Sequence, residues 1–387
     1  MSKKIYLDYI DNYEISTIQN SFEKSFFSLD VNKLFKPKMK VLIKVCLPVP
    51  ASPDLAETTN PAVVGALVNV LTSLGCKCVV ADSPYKKYTN INLDTVYLNT
   101  GMLEVANLTK CELNTNLKTC DIEHPNGVMT KNLTLLDVIN DVDVIINVGK
   151  IKMDNQLGFL GATQNLFGLV PGNKKEVELN RFNTLKELND YLIDIYETLS
   201  EKLVLNVVDG IVAQEKDKTQ RMLYCLWVGE NCFNLDASIL DILNIPYQNT
   251  HLKQAEERGY FKSATPYKSI GESVSKFTVD DFNYESFDNT SKIHNNKKQQ
   301  LSFYKNNQAR TKIDSKKCKG CSVCCKICPT GAISMKYDKN GELFAEIDYK
   351  KCILCKKCLN ACPYFVVEKI EPRAYKNLEK EIKKYND

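Results

Sequence analysis

Eight cysteines close to the C-terminus of this 387-residue chain fall into two runs with identical spacing. The runs are Cys318-x2-Cys321-x2-Cys324-x3-Cys328-Pro329 and Cys352-x2-Cys355-x2-Cys358-x3-Cys362-Pro363. Gaps of two residues allow one tight loop to place three thiolates around one metal cluster, while the fourth cysteine of each run reaches the other cluster. The repeated spacing therefore predicts two [4Fe-4S] clusters.

The same spacing predicts how the ligands divide between the two clusters. Each cluster takes three cysteines from one run and the last cysteine of the other run. The predicted sets are Cys318, Cys321, Cys324 and Cys362 for cluster one, and Cys352, Cys355, Cys358 and Cys328 for cluster two. Paired C-x2-C elements also form zinc sites, but zinc does not require the doubled run. The additional Cys325 is predicted to be a buried bystander thiol.

The segment between the two runs predicts a β-hairpin. Residues 333–338 and 342–347 have strand character and flank Lys339-Asn340-Gly341, a strong turn signal. Together with the two cysteine runs, this segment resembles the pseudo-symmetric two-cluster ferredoxin fold. Because so small a module has little apolar core, we expect cluster binding to supply much of its folding free energy.

The residues before this module alternate between strand and helix signals, which predicts an α/β domain with a mainly parallel sheet. Strands are predicted at residues 41–45, 78–81, 142–148 and 203–208, and helices at residues 61–74, 185–199, 235–243 and 250–258. Pro61 suits a first helical turn, with Thr59 or Asn60 as its cap and Gly75 as its end. The whole chain is expected to divide into an α/β domain (1–283), a polar linker (284–310), the ferredoxin-like domain (311–370) and a charged C-terminal helix or tail (371–387).

Polar side chains follow several of the predicted strands. Lys44, Asp82, Lys150 and Asp209 fall at or just beyond the carboxyl ends of strands, the edge at which open α/β sheets bind ligands. Several ammonium groups near one aspartate suit a small anionic substrate that needs a proton during reduction. The predicted cleft residues, expected to face one of the clusters, are Lys44, Cys46, Asp82, Lys150, Lys152, Asp154 and Asn165.

Each of these residues also has a plain structural explanation. The lysines could be ordinary surface charge, Asp82 a helix cap, and Asp154 a solvated loop residue. Cys46 could be a reactive thiol or a buried cysteine without a role in chemistry. The glycine-rich stretch at residues 158–172 predicts either a loop lying close to a ligand or a flexible connection.

Several segments of the α/β domain together resemble the DUF362 family, whose members often carry a C-terminal ferredoxin module. The matching segments are Val41-Leu-Ile-Lys44, Thr59-Asn-Pro-Ala-Val-Val64, Ala81-Asp-Ser-Pro84, Ile145-Ile-Asn-Val-Gly-Lys-Ile-Lys152, Asn165-Leu-Phe-Gly168 with Pro171-Gly172, Val208-Asp-Gly210, Leu235-Asp236 and Ala255-x3-Gly259. The resemblance implies an α/β domain with a cleft at the loops that follow its strands, and it implies no particular reaction. The chain departs from the family pattern at Val45-Cys46, Asp154 and Gln164, which predicts a divergent substrate.

The charge and the apolar content of the chain limit which partners and which cellular location we expect for it. The 51 basic and 47 acidic residues nearly cancel, which argues against a nucleic-acid partner. The chain has no signal-peptide pattern and no apolar run of about 18 residues, so we expect a cytoplasmic protein with no membrane segment. Sixteen cysteines in a reducing compartment indicate metal binding or buried thiols rather than disulfides.

The leading hypothesis is an oxidoreductase whose two clusters pass single electrons to a small anionic substrate in the N-terminal cleft. An external redox partner would supply the electrons. Two other classes fit the same sequence. One is a non-enzymatic electron carrier or adaptor that docks a redox partner, and the other is an acid/base lyase or isomerase with structural clusters.

Overall fold

In the computed structural model, the described residues are 3–85, 88–154, 157–284, 310–349, 351–352 and 357–370. The chain forms two compact units, residues 1–295 and 296–387. Cys355, residues 285–309 of the predicted linker and the predicted tail at residues 371–387 lie outside the described residues.

The large unit is built from eleven strands and nine α-helices among its described residues. The strands are β1 Lys4–Tyr9, β2 Lys40–Val45, β3 Lys77–Ala81, β4 Glu112–Leu113, β5 Thr119–Glu123, β6 Asn132–Leu136, β7 Val144–Asp154, β8 Gly158–Leu160, β9 Leu203–Gln214, β10 Gln220–Gly229 and β11 Lys268–Gly271. The helices are α1 Ile15–Ser28, α2 Pro61–Ser73, α3 Asn90–Asn99, α4 Met102–Thr109, α5 Ala162–Asn165, α6 Gly172–Arg181, α7 Leu185–Leu199, α8 Cys232–Ile242 and α9 His251–Glu257.

Nine of these strands form one sheet in the order β11-β1-β10-β9-β7-β2-β3-β4, with β8 paired to β7. The pairs β9/β7, β7/β2, β2/β3, β3/β4 and β1/β11 are parallel, and the remaining pairs are antiparallel. Strands β5 and β6 form a separate hairpin. The predicted α/β class with a mainly parallel sheet is therefore confirmed.

Helix α2 shows how local sequence fixes an element. The Asn60 side chain accepts a hydrogen bond from the Ala62 amide at 2.9 Å, and Pro61 occupies the first turn, where it has no hydrogen bond to lose. Gly75 follows the helix with φ of +85°, a conformation that glycine adopts without strain. The predicted cap, start and end are confirmed to within a residue.

Strands β7 and β9 are longer than predicted. Their pairing continues past the predicted ends, with Lys150 opposite Asp209 and, after an irregularity in the register, Lys152 opposite Gln214. The expectation that Lys150 and Asp209 stand at strand ends was wrong. A polar residue after an apolar run indicates the end of a strand, whereas here the two polar residues face each other as a buried pair inside the sheet.

The small unit has four strands among its described residues. Strand β12 (Arg310–Ile313) pairs with β15 (Val367–Ile370), and β13 (Ile333–Tyr337) forms a hairpin with β14 (Leu343–Ile347), all antiparallel. Two short helices, Val323–Ile327 and Lys357–Ala361, follow the cysteine loops. The predicted hairpin is confirmed, and the arrangement fits a ferredoxin-like module.

Within the described residues, no helix has both the length and the apolar character needed to cross a bilayer.

Candidate functional site

A cavity in the large unit brings together most of the predicted cleft residues. Its wall includes five of the seven, namely Cys46, Asp82, Lys150, Lys152 and Asn165. The cavity volume of about 50 Å³ is several times what one water molecule needs, so the cavity suits a small ligand.

Lys44 lies beneath this wall, fully buried on β2. Its Nζ is 3.1 Å from Asp82 Oδ1, and it donates hydrogen bonds to Asn165 Oδ1 at 3.1 Å and to the Val45 carbonyl at 2.5 Å. The Asp82 carboxylate also accepts from the amides of Ser83 and Leu47. Lys44 and Asp82 thus form a buried ion pair with most of its hydrogen-bonding capacity satisfied.

Lys150 forms a second buried ion pair, with Asp209 on the adjacent strand. The Lys150 Nζ is 2.9 Å from Asp209 Oδ2 and 3.0 Å from the Tyr13 hydroxyl. Asp209 also accepts hydrogen bonds from Tyr13 and from the Asn60 amide, at 2.9 and 3.1 Å. Burial lowers the pKa of Lys150 against the opposing effect of Asp209, and burial together with Asp209 raises the pKa of Tyr13.

A third pair joins Lys152 to Glu57, which follows the turn at residues 53–55. The Lys152 Nζ is 2.8 Å from the Glu57 carbonyl and 3.4 Å from Glu57 Oε2. Lys218 approaches the other carboxylate oxygen at 3.4 Å. Burial alone would raise the pKa of Glu57, but the two lysines hold it below its ordinary value.

These contacts change the electrostatic picture expected from the sequence. The explanation of the three lysines as ordinary surface charge is wrong, because each is at most 4% exposed. The expected group of lysines around one aspartate is also not what forms, since each lysine has its own carboxylate. A buried lysine is costly unless it is paired, which explains why the acids come with the bases.

The two other predicted residues are placed less favourably for chemistry. Cys46 is 9% exposed, and burial raises the pKa of its thiol, which keeps it protonated and unreactive at neutral pH. Asp154 ends β7, half-buried, and accepts a hydrogen bond from the Leu157 amide at 3.0 Å. Asp154 therefore stands at a strand end and is partly accessible to solvent, and its role stays a prediction.

Lys175 on α6 also lines the cavity, although it is not among the residues predicted from the sequence. Lys175 is 3% exposed and donates a hydrogen bond to the Ser83 carbonyl. Its Nζ lies 5.4 Å from the centre of the Tyr85 ring and 5.8 Å from that of Phe167. Burial lowers the pKa of Lys175 to about 8, against the opposing effect of Asp82. The adjacent Lys174 is exposed, and the polar sequence of α6 predicts a solvent-exposed helix with no buried lysine.

In the small unit, four cysteines line one cavity: Cys318, Cys321, Cys324 and Cys362. They are the set predicted for cluster one. The rest of the wall is largely apolar, with Ile313, Ala345, Val366 and Val367. Four thiol groups around an apolar cavity are the donor set of a [4Fe-4S] cluster.

Three of the four cysteines predicted for cluster two are described. Cys328 Sγ accepts a hydrogen bond from the Ala332 amide at 3.3 Å, and Cys358 Sγ lies 3.4 Å from the Thr311 hydroxyl. Hydrogen bonds to cysteine sulfur are a normal means of adjusting cluster potentials. The additional Cys325 contacts Met335 instead, with 3.3 Å between the two sulfur atoms.

Comparison with known families identifies both units. The family model described as DUF362, a domain of unknown function, matches residues 41–241. The chain belongs to the DUF362 family. A model described as a 4Fe-4S dicluster domain matches residues 317–366. The thylakoid-associated protein sll1697 of Synechocystis is 26% identical over 271 residues, which cover 67% of this chain and 80% of that protein.

Both resemblances drawn from the sequence are therefore confirmed. The ferredoxin match and the four-cysteine cavity support iron-sulfur cluster binding and a role in electron transfer by this DUF362 protein.

The DUF362 protein has one other group of potential metal ligands among its described residues: His124, Asp194 and Glu197. Arg258 lies 2.8 Å from Asp194 Oδ1 and 2.6 Å from Glu197 Oε2, and His124 lies 2.8 Å from the same Glu197 oxygen. A guanidinium in that position repels a cation. The group is therefore a structural ion-pair network.

Proposed function

We propose that this protein is an iron-sulfur oxidoreductase that relays single electrons through two [4Fe-4S] clusters to a small anionic substrate in the cavity of the large unit. The observation that carries the proposal is the combination, in one chain, of a four-cysteine cavity and a second cavity walled by buried cations. Covalent attachment gives the donor a high effective concentration at the acceptor.

The eight cysteines of the two runs would hold the clusters. Cys318, Cys321, Cys324 and Cys362 would bind cluster one, and Cys352, Cys355, Cys358 and Cys328 would bind cluster two. When bound, [4Fe-4S] clusters supply reversible one-electron transfer.

The residues of the large unit would bind and orient the substrate. The Lys44–Asp82 and Lys150–Asp209 pairs fix the polar wall, because moving either partner would leave a buried charge unpaired. Lys152 would add a hydrogen-bond donor at this wall, Asn165 would hold the Lys44 ammonium in place, and Cys46 would add an uncharged surface. Asp154 or a lysine would supply protons. A preorganised wall of this kind favours a defined substrate orientation.

Electrons would come from an external redox partner that meets the small unit. Cys321 is exposed, and the nearby side chains of Lys316, Lys317 and Lys319 are exposed as well. Phe365, three residues after Cys362, is 88% exposed. These features also favour the second candidate function, a non-enzymatic electron carrier or adaptor, in which this surface alone would carry the activity.

The proposed cluster chemistry also bears on where in the cell the protein works. Cysteine-bound clusters need reduced thiols, and the chain carries sixteen cysteines, so we place the protein in the reducing environment of the cytoplasm. Cell fractionation with an antibody against the chain tests this location, and recovery in an oxidising compartment would contradict it.

The proposed function is tested with the full-length protein, reduced photochemically without oxygen and then mixed with crotonate or pyruvate. Reduction of either compound adds two electrons and two protons across its C=C or C=O bond. One product molecule should therefore form for every two clusters reoxidised. Cluster absorbance follows the electrons, and chromatography follows the product.

The same experiment separates the alternatives. Reoxidation by an oxidised flavodoxin, with none by any small carboxylate, would favour the electron carrier. Equal turnover by the oxidised and reduced proteins would favour the lyase or isomerase with structural clusters. Asp82→Asn should slow substrate-dependent reoxidation, while Asp30→Asn, at an exposed ion pair remote in sequence from the cavity, should not.

A further inference from the structure

The charges around the large cavity do not balance. Four lysines, Lys44, Lys150, Lys152 and Lys175, meet three fully paired acids, Asp82, Asp209 and Glu57. Lys218 at Glu57 adds one further positive charge, and Asp154 at the end of β7 offsets it. Among these five lysines and four acids there is therefore one more positive charge than negative.

The excess charge is carried by Lys175. Among the described residues, no carboxylate oxygen lies within 4 Å of its Nζ, in contrast to the other three lysines. Its contacts are a backbone carbonyl, that of Ser83, and the faces of Tyr85 and Phe167. Cation–π contacts compensate a buried ammonium only in part, so an anion in the cavity would supply the missing partner.

Much of the remaining wall of the cavity is apolar. Leu157, Leu160, Phe167, Leu188 and Leu192 contribute side chains to the wall that also includes Lys175. A ligand with one charged end and one apolar end would match both features. A second negative charge would meet Asp82, which is already neutralised by Lys44.

We infer that Lys175 anchors the charged group of a small organic monoanion, a carboxylate with an apolar body, in this cavity. The inference deepens the proposed function by naming the substrate class, and it rests on that function for the role of the bound molecule. Binding itself requires no electron transfer, so the two can be tested separately.

The pH dependence of binding follows from the groups that face Lys175. These are Asp82, Ser83 and Tyr85 after β3, Lys44 on β2, and Cys46 after β2; burial and Lys44 oppose the charged form of Lys175, whereas Asp82 favours it. The amine is cationic below about pH 8 and neutral above it. Carboxylate affinity should therefore fall by roughly tenfold per pH unit once the pH exceeds this pKa.

The test is calorimetric titration of the full-length protein with butyrate and benzoate, each compared with its uncharged amide. At pH 7 we expect each carboxylate to bind at least tenfold more tightly than its amide, and at pH 9.5 this preference should disappear. Lys175→Gln should remove the preference at pH 7. Lys174→Gln removes the same charge from the exposed neighbour and should leave binding unchanged within twofold.

Four outcomes would overturn the inference: no carboxylate binding at millimolar concentrations, equal binding of carboxylate and amide at pH 7, a preference that persists at pH 9.5, or an unchanged preference in Lys175→Gln. The amide and pH comparisons use the unaltered protein, so they decide the matter even if Lys175→Gln fails to fold. If carboxylates bind through Lys175 but reoxidise no cluster, the proposed function fails and this inference stands. If crotonate still reoxidises the clusters of Lys175→Gln, the proposed function stands and this inference fails.

Discussion

The two units use the same residue types in opposite ways. In the large unit, Lys44, Lys150 and Lys152 are buried against carboxylates, and cysteines such as Cys46 and Cys232 are buried thiols whose pKa burial raises. In the small unit, lysines such as Lys316 and Lys319 are exposed, and the cysteines line a cavity. The polar wall of the large cavity is therefore held by pairs of oppositely charged side chains, whereas the four thiols of the small unit are the donor set of an iron-sulfur cluster.

The apolar cores of the two units also differ, in size and in the residue types that form them. The large unit has a continuous apolar core that extends from Ile5 to Phe282. The buried core of the small unit has nine members among the described residues, and three of them are the cysteines Cys324, Cys358 and Cys362. A core of that size supplies little stability by itself, so ligand binding and folding should be coupled in the small unit.

The largest effect predicted from this comparison is the response to metal removal. Extraction of iron with a chelator under mildly acidic conditions should unfold the small unit and leave the large unit folded. Hydrogen exchange followed by mass spectrometry should show lost protection in residues 310–370 and retained protection in β2 and β7. Protection that is retained in both units would show that the small unit folds on its own apolar core. The proposed difference between the two units would then be wrong.

Replacement of one ligand should have a smaller, divided effect. Cys328→Ala is expected to remove the cluster held by the second run and to spare the first, because the fourth ligand of each run belongs to the other cluster. Iron and sulfide should fall from about eight to about four of each per chain. Cys325→Ala, at the adjacent bystander position, is the matched control and should retain both clusters. Spectra that show loss of the first cluster alone would contradict the crossed ligation.

In the large unit, disruption of a buried ion pair should cost stability without any change in iron content. Lys150→Met leaves Asp209 buried and unpaired, which is expected to destabilise the unit by about 3–5 kcal/mol. Lys33→Met breaks the exposed pair with Asp30 and should cost about 0–1 kcal/mol. Urea unfolding followed by circular dichroism measures both values.

A double variant sharpens this test. Lys150→Met combined with Asp209→Leu removes both charges, so it should recover a large part of the lost stability. If the double variant is as unstable as the single one, the loss comes from packing around β7 and β9, and charge pairing is not what holds this wall.

The fold was predictable where local sequence decides it. The start of α2 follows from Asn60 and Pro61, and the hairpin of the small unit follows from Asn340-Gly341 between two strand segments. Ligand spacing in the cysteine runs is equally local. These features need no information about distant parts of the chain.

The candidate site was predictable only in part, because burial of a charge depends on distant residues. Lys152 and its partner Glu57 are separated by 95 positions, and nothing near either residue indicates the pairing. Lys175 lies beside the exposed Lys174 in a polar helix, so the local sequence does not indicate that Lys175 is buried. Neighbouring parallel strands end at the same edge of the sheet. As expected for an open α/β sheet, Cys46, Asp82 and Asn165 therefore lie at one cavity.

The smallest predicted effect concerns Gly168, in the glycine-rich stretch that follows β8. A Cβ at this position would overlap the Asp82 carboxylate and the Lys44 ammonium group, and the Gly168 carbonyl accepts a hydrogen bond from Ser83 at 3.1 Å. Gly168→Ala should therefore displace the buried pair and cost about 1–3 kcal/mol of unfolding free energy. Gly65→Ala is the matched control, since its Cβ would meet one atom at 4.0 Å inside α2 and should stabilise by about 0.5–1 kcal/mol. Equal effects of the two changes would mean that the 3-10 helix at residues 166–169 shifts to accept the methyl group, and that close packing against the buried pair does not require a glycine.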